Sequence, residues 1–132
     1  MFKLYFKNWL PQNKRAIYNN SAPFSFAQYL NETKDTDPIF NDWEYGSFLI
    51  LAQKHPIFID IRNIIYSRED FNDYKKVVEG ELDADAILEK YKINYILLNR
   101  KLRSRLIANL DASLKWNIVL VNDETILYQR KN

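Results

Sequence analysis

The sequence predicts an α/β domain, three-layer and Rossmann-like, with a mostly parallel sheet closed by an antiparallel C-terminal hairpin. Three observations predict it. Helix-period segments alternate with short strand-like runs from Ser21 to Leu114, the pattern of strands joined through helices. The runs "IFIDI" and "INYILL" are apolar almost throughout, as strands covered on both faces are. Two further runs, "NIVLV" and "TILYQR", are separated only by "NDE", a hairpin signature.

Residues 1–20, aromatic and basic and then polar, fit an N-terminal arm or linker; residues 21–132 form a single α/β domain. "SAPFSFAQYLNET" starts a helix at Ser21 and Pro23, with Phe26, Ala27 and Leu30 on one face. "KDTD" turns the chain into the short strand "PIF". Asn41 and Asp42 both suit the N-cap of the next helix, "WEYGSFLILAQK". There Tyr45, Phe48, Leu49 and Ala52 follow the helical period, and Ile50 and Leu51 widen the stripe, so this helix is expected to be largely buried. His55-Pro56 stops it, because proline disfavours helix at the residue before it. "IFIDI" is expected as a second strand. Ser67 and Asp70 make a capping signal for "REDFNDYKKVV", and Gly80 ends that helix. Ala84, Ile87, Leu88 and Tyr91 mark another helix, and "INYILL" a third strand. Leu106, Leu110 and Leu114 carry the last helix, and the hairpin closes the chain.

Composition bounds the function. A chain of 132 residues holds one ordinary domain, and 47% apolar with 27% charged residues is a globular composition. A formal charge of +2 is too small a footprint for nucleic acid, which is not expected as a partner. There is no cysteine and a single histidine, so no metal site is expected. Neither GxGxxG nor GxxxxGK[ST] occurs, so no phosphate loop and no cofactor is expected. No serine has a nucleophile-elbow context, His55 reads as a turn residue, and no catalytic residue is assigned. No apolar run reaches the roughly 18–20 residues of a membrane span, and the start does not read as a signal peptide.

The candidate site comes from topology. Ligands of open α/β sheets bind beyond the carboxyl ends of the strands. Asn41-Asp42, Asp60 with Arg62, and Asn99-Arg100 stand at three such ends, so parallel neighbours would bring them to one edge. Asp42, Asp60, Arg62, Tyr66, Asn99 and Arg100 are therefore the candidate ligand-binding residues. The structural reading stands beside it: Asn41 and Asp42 cap a helix, and Asp60 pairs with Arg62. "RKLRSR" gathers Arg100, Lys101, Arg103 and Arg105; positive charge opposes a helix N-terminus, so the helix is expected to begin near Ser104 behind a solvated basic loop.

"FNDWEYGSFLILAQKHPIFIDIRNIIYS" resembles the "FNxYDWGGYLIW…P…VFIDGRxDxYG" stretch in the C-terminal soluble domain of multi-spanning GT-C-type membrane glycosyltransferases, relatives of the protein mannosyltransferases. "ILEKYKINYILLN" and "LKWNIVLVNDETILYQR" are similar to that family's later motifs, in the same order. Asp42, Gly46, Asp60, Arg62, Tyr66, Trp116 and Asp123 are the matching motif residues. Ser47, Ile61 and Ser67 replace glycines of the pattern, which implies altered loops. The resemblance implies a non-catalytic extracytoplasmic accessory domain of a glycosyltransferase-like membrane protein, assisting acceptor binding, folding or assembly. Its partner would be the membrane region of the parent or of a partner transferase, and its ligand a glycan or lipid-linked sugar. Catalysis in such enzymes belongs to the membrane region, so this chain would be an excised domain or one that has lost its membrane half. The rival expectation is a stand-alone α/β small-ligand-binding or small enzyme domain using the strand-end polar groups.

Overall fold

A computed structural model describes residues 23–60 and 67–132. The elements in chain order are α1 (Phe24–Glu32), β1 (Ile39–Asn41), a one-turn 3-10 helix (Trp43–Tyr45), α2 (Gly46–Ala52), α3 (Arg68–Val78), α4 (Ala84–Lys90), β2 (Tyr95–Asn99), α5 (Ser104–Ala112), β3 (Trp116–Val121) and β4 (Thr125–Arg130). The expected arm at 1–20, together with Arg62 and Tyr66, lies outside the described residues.

The sheet runs β1-β2-β4-β3. β1 and β2 are parallel, with Ile39 opposite Tyr95, while β4 runs antiparallel to both β2 and β3. The sheet is thus mixed, which corrects the expectation of a mostly parallel one: the hairpin adds to β2 through β4, with β3 outside it, so two of the three strand pairs are antiparallel. Alternation along β2 sends Ile96 and Leu98 to one face and Tyr95 and Leu97 to the other. The first face packs on Val77 and Val78 of α3, Ile87 and Leu88 of α4, and Leu106 and Leu110 of α5. The second packs on Phe26 and Leu30 of α1 and Leu49 of α2. Helices therefore cover both faces.

The "IFIDI" strand is also corrected. Residues 57–60 make a single bridge, Ile57 to Ile39, and no ladder. The cause is Asn41. Its Oδ1 accepts from the N–H groups of Phe58 (3.0 Å) and Ile59 (3.3 Å), and its Nδ2 donates to the Ile59 carbonyl (2.7 Å). A buried side-chain amide here takes the bonds a neighbouring strand would have made.

α2 is less buried than its stripe suggests, since Ile50 and Leu51 are exposed together with Trp43. Ile50 and Leu51 lie off the side of α2 that buries Gly46, Leu49 and Ala52, and Trp43 belongs to the preceding 3-10 turn. α5 ends at Ala112, which leaves Leu114 outside the helix and exposed. α3 follows its sequence signals closely. Asp70 N–H donates to Ser67 Oγ, and Ser67 N–H donates back to the Asp70 carboxylate, a complete capping box. Gly80, at φ +68°, supplies the left-handed residue after its end. Among the described residues no helix is long and apolar enough to cross a membrane.

Candidate functional site

The carboxyl ends of β1 and β2 do meet, with Asp42 at the centre. β1 ends at Asn41, and the Asp42 N–H still donates to the Leu97 carbonyl at 3.0 Å, carrying the carboxylate onto the end of β2. Its Oδ2 accepts from the Asn99 backbone N–H at 2.6 Å, and its Oδ1 accepts from Arg103 Nε, also at 2.6 Å. Neither Asn41 nor Asp42 caps the following helix through its side chain. Both carboxylate oxygens of Asp42 instead face groups from distant parts of the chain.

Arg103 stands just before α5. Its Nη2 donates to the Tyr74 hydroxyl at 3.4 Å, and the same hydroxyl accepts from the Trp43 N–H at 2.9 Å. The basic run thus divides. α5 begins at Ser104, as the macrodipole argument requires, but Arg103 is committed to a buried ion pair and is not part of a solvated loop. Sequence reasoning missed Arg103 and Tyr74. The signal was present: a cation set against a helix N-terminus calls for a nearby carboxylate.

Burial is the largest influence on Asp42 and pushes its carboxyl up; the Asn99 N–H and the Arg103 guanidinium pull it back without fully offsetting that. Arg103 is pulled down by burial, but the Asp42 charge and hydrogen bond more than compensate and raise it. Tyr74 is raised, mainly by burial. Tyr45, whose hydroxyl lies 2.8 Å from Thr125 Oγ1, is pushed up to about 12, again mainly by burial.

Asp60 is fully buried, and it sits at this edge because of Gly46. A Cβ on Gly46 would strike the Ile59 carbonyl oxygen and come within 2.6 Å of the Asp60 Cα. Only glycine lets α2 approach the 59–60 backbone so closely. Asn99 is at the edge as well, its Nδ2 donating to Glu44 (2.8 Å) and its Oδ1 accepting from the Lys101 N–H (2.9 Å). Arg100 turns away, its guanidinium donating to the Asn122 carbonyl at 2.6 Å in the β3–β4 turn. The structure thus brings Asp42 and Asn99 together, sets the Asp60 backbone against Gly46 and directs Arg100 to the hairpin. Of the other motif residues, Trp116 is buried beneath the Arg130 guanidinium, 4.4 Å from its ring, and Asp123 is exposed in the turn. Among the described residues no group of three or more His, Cys, Asp or Glu side chains is placed to hold a metal ion.

Asp42 joins β1, β2 and the start of α5, and it is only 1% exposed. Chemically this is a brace, with charge and donors matched inside the fold.

No family model matches this sequence, and no curated protein does. Among solved structures, the chain is similar to the C-terminal globular domain of oligosaccharyltransferase from Archaeoglobus fulgidus. The TM-score is 0.60 at 11% identity, over 81% of this chain and 95% of that one. At that identity the likeness concerns the fold.

Proposed function

We propose that this chain is a non-catalytic accessory domain of a glycosyltransferase-like membrane protein, working on the extracytoplasmic face and assisting folding, assembly or acceptor binding. The observation that carries the reading is the likeness to the oligosaccharyltransferase domain, which extends over nearly all of that domain. The sequence resemblance to GT-C-type C-terminal domains, drawn from residues 38–67 and their downstream motifs, points the same way. The exposed side chains of Trp43, Ile50 and Leu51 offer a partner apolar contacts. The internal pairing of Asp42 favours a rigid scaffold over the rival small-ligand or enzyme reading.

The test is cross-linking in membranes of the native host, with the chain expressed whole. Cross-links from the Trp43–Leu51 face to a multi-spanning transferase are expected. Capture of soluble proteins alone, or turnover of lipid-linked or nucleotide sugars that disappears in Asp60→Asn, would overturn the reading. The ligand role proposed for Asp42, Asp60, Arg62, Tyr66, Asn99 and Arg100 predicts glycan-induced NMR shifts at the strand ends; shifts elsewhere or none would remove it.

A further inference from the structure

The side of the sheet opposite β1 ends in a free edge. With the order β1-β2-β4-β3, β3 is paired with β4 on one side only. Among the described residues no other segment bonds to its outer side. Such an edge presents a row of backbone N–H and C=O groups, and folded chains guard it with lysine, proline, an inward charge or a bulge. β3 reads "WNIVLV" and holds neither a charge nor a proline.

The guard that is present is a bulge between Ile118 and Leu120, and it also sets the side chains. Ile118 stands opposite Tyr128 and Val121 opposite Ile126, and both partners belong to the cluster under α3, α4 and α5. Facing residues of a ladder share a face, so Ile118 and Val121 lie on the same one. Regular alternation would have put positions three apart on opposite faces. Both are left half exposed, side by side along the edge.

The charges sit at the two ends of the strand and differ in sign. Lys115 precedes β3, and the Lys131 N–H donates to its carbonyl at 2.8 Å; both side chains are exposed, although Lys115 also reaches Asp85 of its own chain. Asp123 and Glu124 form the turn after β3 and are exposed too. Antiparallel pairing of two identical edges sets the acidic turn of one copy beside the basic start of the other, and does so twice. Parallel pairing would set like charges together at both ends. A foreign strand would need to bring the matching charges; a second copy has them by symmetry.

We infer that β3 is a self-association edge, and that its partner is a second copy of this chain. Two β3 strands pair antiparallel about a two-fold axis perpendicular to the sheet, which makes the two sheets continuous. That axis keeps the α5 sides of both copies on one face, so Ile118 and Val121 of each meet those of the other. The contact is isologous and closes at two. An edge of six residues is about 20 Å long, so the contact is small and the dimer depends on concentration.

Sedimentation of the whole chain from micromolar to millimolar concentration should show the mass rising from one copy toward two and no further. Nitrogen-15 amide spectra over the same range should shift in β3 and its turn. Val121→Lys places a charge on the edge at a half-exposed position, so it should keep the folded spectrum and lose the dimer. Asp123→Lys removes the complementarity and should weaken association several-fold, as should added salt. Leu82→Lys, at a fully exposed position between α3 and α4, should leave the dimer unchanged. A chain that stays monomeric at every concentration would overturn the inference and leave the edge to a strand of another protein. A dimer that survives Val121→Lys, or assembly that grows past two copies, would overturn it as well. None of these results would touch the accessory-domain reading, which is tested by the transferase cross-link.

Discussion

The two ends of the β1–β2 pair are built from similar parts and behave oppositely. Beyond the carboxyl end, Asp42 is almost fully buried, and a guanidinium from 61 residues away completes it. At the amino end, Asp35 remains partly in water, with a side chain 38% exposed, and the group beside it is the His55 imidazole, 3.8 Å away. Burial wins at Asp42 and raises its carboxyl, while hydrogen bonds and charge win at Asp35 and lower it. The difference teaches that the same carboxylate chemistry at a strand end shifts in opposite directions according to how far the carboxylate loses its water.

Breaking the carboxyl-end brace should have the largest effect. Arg103→Ala leaves a buried carboxylate without its cation and should cost about 3–5 kcal/mol in denaturant unfolding. Arg100→Ala, three positions away in the same basic run, breaks an exposed contact and should cost less than about 1 kcal/mol. Equal midpoints for the two variants would show that the Asp42 pair braces nothing. Gly46→Ala attacks the same corner through the backbone. The new Cβ meets the Ile59 carbonyl and the Asp60 main chain, which have little room to yield, so a loss of about 3 kcal/mol is expected. A wild-type melting temperature in this variant would mean that α2 can slide freely on the 59–60 segment.

The amino end should respond more mildly. Tyr95→Phe removes the hydrogen bond its hydroxyl donates to the Asp35 carboxylate, at 2.8 Å, and should cost about 1–2 kcal/mol at neutral pH. Because the folded value of Asp35 is lowered, its contribution is present above its free-chain value of 3.8 and is lost as pH falls through the folded value. The variant should therefore lose less stability on acidification than wild type does. Asp42 carries the opposite sign. Its raised folded value makes its contribution greatest below 3.8 and diminishing as pH rises through the folded value. Carboxyl carbon-13 NMR should place the Asp42 midpoint above 3.8 and the Asp35 midpoint below it; the reverse order would contradict the burial argument. Farther from both corners, Ser67→Ala removes one half of the α3 capping box and should cost about 1 kcal/mol, read as a small drop in melting temperature.

Local signals determined much of this molecule. The Ser67–Asp70 box, the left-handed stop at Gly80, the stripe of Ala84, Ile87 and Leu88, the start of α5 at Ser104 and the C-terminal hairpin are all written within a few residues of where they act. The sequence also marked the ends of β1 and β2 as places where polar residues gather, and Asp42 and Asn99 do meet there. Three features needed the assembled fold, because each depends on a partner far along the chain. The sheet is mixed because β4 pairs with β2, a choice among apolar strands that no single strand's pattern encodes. "IFIDI" carries the composition of a strand, yet a buried asparagine 17 residues earlier takes its N–H groups. Arg103, read along the chain as one charge in a basic run, becomes the partner of Asp42 only when α5 is set beside β1 and β2. Periodicity and capping act over one or two turns and survive in a linear reading. Desolvation of a charge is a property of the whole surrounding shell, and that shell exists only once the chain has folded.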